Sequence, residues 1–168
     1  MTDSDFLFTV AEVGVAFAGF AGLVTILARR MGQGTESQAE VHLLYRMLLV
    51  SMLTVAAALF PHLPLRFGAS EPETWRIASG VFFAAWLLYF VNAVRGILLN
   101  LDATSPPGGR FLLFFNQIVH LGAGLALLTA AVGLWDTATP AVYLTALCAM
   151  LYMAGCLFVI LFTRLSRS

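Results

Sequence analysis

Charge is scarce in this chain, and lysine is missing altogether. Only 11% of the 168 residues are charged, and all nine basic residues are arginine. A soluble domain carries roughly a quarter charged residues, so a soluble globular fold is excluded. Nine acids balance the nine bases, which removes any basic footprint for nucleic acid. Arginine-only usage in an Ala/Gly/Leu-rich chain points to a bacterial protein. Cysteine is almost absent. Cys148 and Cys156 fall on one apolar run, too far apart along a helix to bond to each other, and they read as small packing residues. The three histidines, His42, His62 and His120, sit at opposite edges and in the middle of their runs. No two share a depth, which argues against a metal site or haem ligation. No phosphate-cradling loop is present, because Gly108-Gly109 follows two prolines and no strand. Ser51, Thr54 and Ser79 read as ordinary helix hydroxyls with no base to activate them. These absences leave no catalytic residue, metal or cofactor to assign.

What the chain does have is apolar length. It is 60% hydrophobic, and five of its apolar runs reach the roughly 20 residues that a bilayer crossing requires. Helices are expected over about 6–28, 41–60, 72–99, 111–135 and 140–162, forming a single all-α transmembrane domain over 1–168. The first run follows Asp3 and Asp5 and is too long for a signal-peptide core, so it reads as a retained helix. Ser37 with Glu40, and Ser70 with Glu73, supply capping-box chemistry for the second and third helices. Pro61 stops the second, leaving 61–70 as a short loop. Pro106-Pro107-Gly108-Gly109 marks the next link, and Thr139-Pro140 opens the fifth helix.

Five crossings sort the arginines. Arg29, Arg30, Arg46, Arg95, Arg110, Arg164 and Arg167 fall on one side, and only Arg66 and Arg76 on the other. The positive-inside rule then expects the N-terminus outside and the C-terminus inside. Trp75 and Trp135 fall at outer helix ends, where aromatic belts lie.

The first run is unusually poor in bulk and carries one acid. At 100° per residue, Val10, Val13, Phe17, Phe20, Val24 and Leu27 gather on one side, the expected lipid face. Ala11, Gly14, Ala18, Ala21, Gly22 and Thr25 form a second strip, and Glu12, Val15, Ala16, Gly19 and Leu23 a third. Gly14, Ala18, Gly19 and Gly22 are the expected helix-packing residues, meeting helices of this chain or of a second copy. A carboxylate in hydrocarbon is costly, so Glu12 must be protonated, paired or wet. It is a candidate proton or cation site, or else a bridge to a neighbouring helix.

A second set of polar groups gathers toward the inner side: Arg46, Asn92, Arg95, Asn116 and Gln117, with His42 and Tyr45 nearby. They form either the inner mouth for an anion or lipid headgroup, or arginines snorkelling to the interface beside amides that bridge helices. His120 is the deepest ionisable group. It reads as a proton-pathway candidate or as a neutral, hydrogen-bonded imidazole. The expected partners are the lipid bilayer and a second copy of the chain or another membrane protein. The expected function is a homo-oligomeric channel or transporter-like protein for a small ion or proton, or an accessory subunit that conducts nothing.

Overall fold

The computed structural model describes residues 3–30, 38–99, 107–135 and 139–165, with side chains described over most of these segments. Six helices follow in order: α1 Asp3–Arg30, α2 Gln38–Leu59, α3 His62–Arg66, α4 Glu71–Leu99, α5 Pro107–Ala131 and α6 Thr139–Leu165. Among the described residues there is no strand. Four helical segments are long and apolar enough to cross a membrane: Asp3–Val24, Leu43–Arg66, Glu71–Arg95 and Thr139–Phe162. The described apolar part of α5, Phe115–Ala131, is shorter. An all-helical membrane protein is the plain reading.

The helix ends follow from local chemistry. Glu73 Oε2 accepts from the Ser70 N–H at 3.0 Å and from its hydroxyl at 2.7 Å, tying down the start of α4. The box at Ser37 lies outside the described residues. Gly133 takes a positive φ of 77° just past α5, and Leu134 N–H donates back to Thr129 C=O at 3.1 Å. That six-residue closure ends the helix at Ala131, four residues before the expected stop.

One expectation is corrected outright. The segment read as a loop after Pro61 contains the five-residue helix α3. Pro61 is its N-cap, with αR dihedrals, and Pro64 falls within its first turn. A proline there removes only an N–H that has no helical acceptor, so it starts a helix instead of breaking one.

The chain forms two compact units, Met1–Ala58 with Met150–Ser168, and Leu59–Ala149. In the first unit, at most about 28 Å of chain joins Arg30 to Gln38, less than the length of α2, so α2 folds back along α1. Gly14 is the point of close approach: a Cβ built there would lie 2.8 Å from Val55 Cγ2 and 3.3 Å from the Ser51 carbonyl oxygen. On the other flank, Phe17 and Phe20 of α1 meet Phe158 of α6, with ring centroids 6.4 Å and 4.8 Å apart.

This packing overturns the expected faces of α1 in part: Ala11, Gly14 and Ala21 are buried and Val13 and Phe20 exposed as expected, but other residues change sides. Val10, assigned to lipid, is buried at 3% exposure, and Phe17 and Phe20 serve the aromatic contact to α6. Leu7, Ala11, Gly14 and Ala21 complete the buried face. The exposed face carries Glu12, Val15, Ala16, Gly19 and Leu23. Bulk does not mark a lipid face, because lipid tails are as apolar as the side chains themselves.

In the second unit α4 and α5 run antiparallel in close contact. Gly80 faces Ala131, with a built Cβ 3.8 Å from the alanine Cβ. A Cβ on Gly124 would fall 2.2 Å from Trp86 Cη2. Tyr143 of α6 is fully buried between Trp75 and Phe82, with centroids at 5.6 Å and 5.7 Å.

Candidate functional site

The candidate residues of the sequence are taken in three groups. The first is the outward face of α1. Phe8, Glu12, Val15, Gly19, Gly22 and Ile26 are all exposed, and they recur at alternating spacings of four and three. This is the spacing that recurs along helix-packing seams. A Cβ built on Gly19 or Gly22 meets nothing within 4 Å. Of the proposed helix-packing residues, Gly14 therefore packs inside the unit, Ala18 is half-buried, and Gly19 and Gly22 face away from it. Glu12 sits nine residues into α1, about 13 Å along the axis, within a segment apolar enough to cross a membrane. Among the described residues it has no hydrogen-bond or ion-pair partner.

The second group surrounds His120, which is 3% exposed. The Trp86 Nε1–H donates to His120 Nδ1 at 2.8 Å. Nδ1 is therefore the acceptor nitrogen, and the proton of a neutral imidazole sits on Nε2. Trp86 is stacked between Phe83 and Phe90, with centroids 5.7 Å and 5.0 Å away. Tyr89 and Phe90 flank the imidazole itself at 5.5 Å and 6.0 Å. This is the geometry of a hydrogen-bonded, neutral histidine in an aromatic box. Glu12 belongs to the other unit.

Sequence reasoning missed the cup that holds this box. The small face was expected at Gly122, Ala126 and Ala130, yet a Cβ on Gly122 meets nothing within 4 Å, whereas Gly124 lies against the Trp86 indole. The two glycines point about 200° apart on α5. Only the position of an indole on another helix decides which one matters.

The third group is the inner set, whose residues divide between the two units. Arg46 belongs to the first unit, whereas Asn92, Arg95, Asn116 and Gln117 belong to the second. Asn92 is exposed and donates to Leu88 C=O of its own helix at 2.9 Å, so its amide nitrogen bridges nothing. Arg95 is exposed, as a snorkelling arginine would be. Asn116 is buried on α5, and Gln117 beside it is half-buried. Arg46 is the exception. Its residue is only 7% exposed, and its Nε and Nη2 atoms are buried without a hydrogen-bond partner.

Among the described residues no group of three His, Cys, Asp or Glu side chains could hold a metal. Cys148 is exposed and Cys156 buried, both as free thiols. No protein-family model, no curated protein and no solved structure matches the chain.

Proposed function

We propose that this is a homo-oligomeric integral membrane protein of the bacterial inner membrane, with α1 at the subunit interface or pore. It would act as a channel or transporter-like protein for a small ion or proton. The observation behind this reading is the exposed α1 seam with Glu12 on it. Copies in a membrane share one orientation, so α1 against α1 is a parallel contact in which each residue meets its own counterpart. Gly19 and Gly22 let the backbones approach. Glu12 then faces Glu12. A protonated carboxyl is both donor and acceptor, so it can satisfy a copy of itself. A ring or pair of such groups on an assembly axis is a place for a proton or cation to dwell. The single domain would cross the bilayer five times, N-terminus outside and C-terminus inside, as the arginine asymmetry requires.

Three expected results test this. A reporter active only in the cytoplasm should give signal when fused at Ser168 and none when inserted after Ala69; the opposite pattern overturns the topology. Gly19→Leu should convert the oligomer in mild detergent to monomer without lowering the monomer's melting temperature. Glu12→Gln should keep the oligomer, since an amide also pairs with itself, and lose proton flux in liposomes containing only this protein. A wild-type oligomer that conducts nothing would favour the accessory-subunit reading. One observation supports that alternative: the other deep ionisable group, His120, is enclosed by aromatic rings.

A further inference from the structure

We infer that the cargo of Glu12 is the proton alone, and that metal cations do not bind there; this rests on the reading of α1 as the contact between copies. Glu12 is exposed on α1, about 13 Å from the start of the helix, within a segment apolar enough to cross a membrane. The two classes of cation make different demands at that depth. A proton needs one oxygen, and its uptake removes the charge of the carboxylate. Loading and release exchange one O–H bond between water and a carboxylate oxygen, and no other reactant takes part. A metal ion keeps charge in the hydrocarbon, which is costly. It also needs a shell of oxygens, roughly six to eight for calcium and about six for magnesium.

The first helix does not hold such a shell. Within two turns of Glu12, Phe8, Val15, Ala16 and Gly19 share its exposure, and none carries a side-chain oxygen. Thr9 is exposed too, but its hydroxyl donates to the Asp5 C=O at 2.9 Å, one turn toward the N-terminus. Backbone oxygens do not fill the gap. Sodium sites in membrane proteins draw on carbonyls freed where a helix unwinds. Here α1 runs unbroken from Asp3 to Arg30, so the carbonyls beside Glu12 accept within the helix itself. Two facing carboxylates bring four oxygens and two negative charges. Protonated, the same two groups satisfy each other as donor and acceptor.

Other ionisable groups of the unit stand apart. The helices α2 and α6 pack on α1 through Gly14, Phe17 and Phe20, and Glu12 is exposed. Because Gly14 meets Ser51 and Val55, the ionisable residues of α2, Glu40, His42, Tyr45 and Arg46, lie along the second half of α1. On α6, within this unit, Tyr152 is hydrogen-bonded to Cys156, and Arg164 lies in the last turn. On α1 the nearest is Asp5, about 10 Å along the axis.

The test treats the full chain in liposomes with dicyclohexylcarbodiimide, an apolar reagent that attacks a carboxyl carrying its proton. Mass spectrometry of the peptide containing Glu12 reads the product, with Glu12→Gln as the blank. At fixed pH and ionic strength, exchanging choline for sodium, potassium or calcium should leave the modification unchanged. Raising the pH should lower it about tenfold per unit on the alkaline limb, as loss of one proton requires. Thr9→Val should match wild type in every salt. Slower modification in any of the three metals, a metal flux that Glu12→Gln abolishes, or a Glu12 that is never modified would overturn the inference. The reagent reads Glu12 whether or not the protein conducts. Modification indifferent to metals in liposomes without flux therefore retires the channel reading and upholds the proton at Glu12.

Discussion

Replacing Gly124 by alanine should unseat Trp86 and cost the second unit about 2–3 kcal/mol, and leucine there should prevent α4 and α5 from closing. The added Cβ would lie 2.2 Å from Cη2 and 2.4 Å from Cζ2 and Cζ3 of the indole. An isolated tryptophan would swing aside. This one is stacked on Phe83 and Phe90 and donates its N–H to His120, so moving it leaves the buried Nδ1 acceptor without its donor. An abandoned buried acceptor costs about 1–3 kcal/mol by itself. The check is a double-mutant cycle in thermal melts. Trp86→Leu removes both the obstruction and the hydrogen bond, so Gly124→Ala should cost far less in that background than in wild type. Equal cost in both backgrounds would mean that the indole is not what Gly124 accommodates. Gly122→Ala, two residues away and facing open space, should leave the melt almost unchanged.

The second large effect is expected at Gly14. Leucine at this position should unfold the first unit, and alanine should cost about 1–3 kcal/mol. Here the obstruction is partly backbone: Val55 Cγ2 at 2.8 Å and the Ser51 carbonyl oxygen at 3.3 Å from the new Cβ. A methyl group can rotate away, but a helical carbonyl cannot. Val55→Ala should therefore recover part of the Gly14→Ala loss and little of the Gly14→Leu loss. Melting temperature and retained helicity by circular dichroism in detergent give the answer. Full tolerance of leucine at 14 would show that α1 and α2 do not pack at this point. Gly14 and Gly19 differ by five residues and look equivalent in sequence. Their predicted consequences are opposite, one for the fold of a protomer and one for the association of protomers.

Much of this architecture was legible in the residues. A bilayer demands a minimum apolar length, so the runs announce themselves, and Ser70 with Glu73 marks a start that the structure confirms. Faces were harder. In water, burial sorts apolar from polar, so a helix shows its inside by pattern. In a membrane the outside is apolar too, and Val10, Phe17 and Phe20 carry no sign of which way they point. The α1 assignment failed at Val10 for that reason. The helix at His62–Arg66 was missed because Pro61 and Pro64 were read as breaks, when their place in a first turn permits helix. At His120 the neutral, hydrogen-bonded alternative was available from the residue alone. Its donor lies 34 positions away, and no local pattern links Trp86 to it. The burial of Arg46 was equally hidden, since an arginine two turns inside a helix has the same sequence signature whether it snorkels outward or is enclosed.

The composition of the first unit bears on the order in which the chain matures during synthesis. Phe17 and Phe20 meet Phe158, a ring separated from them by nearly the whole length of the polypeptide. The α4–α5 pair closes between near neighbours, with Trp86 and His120 only 34 positions apart. Ribosomes add about 5–20 residues each second. Roughly 7 to 28 seconds therefore pass between the emergence of Phe20 and that of Phe158. Throughout that interval α2 is the partner that the first unit itself supplies to α1. The aromatic box can form while α6 is still unmade, and α6 completes the unit that α1 began.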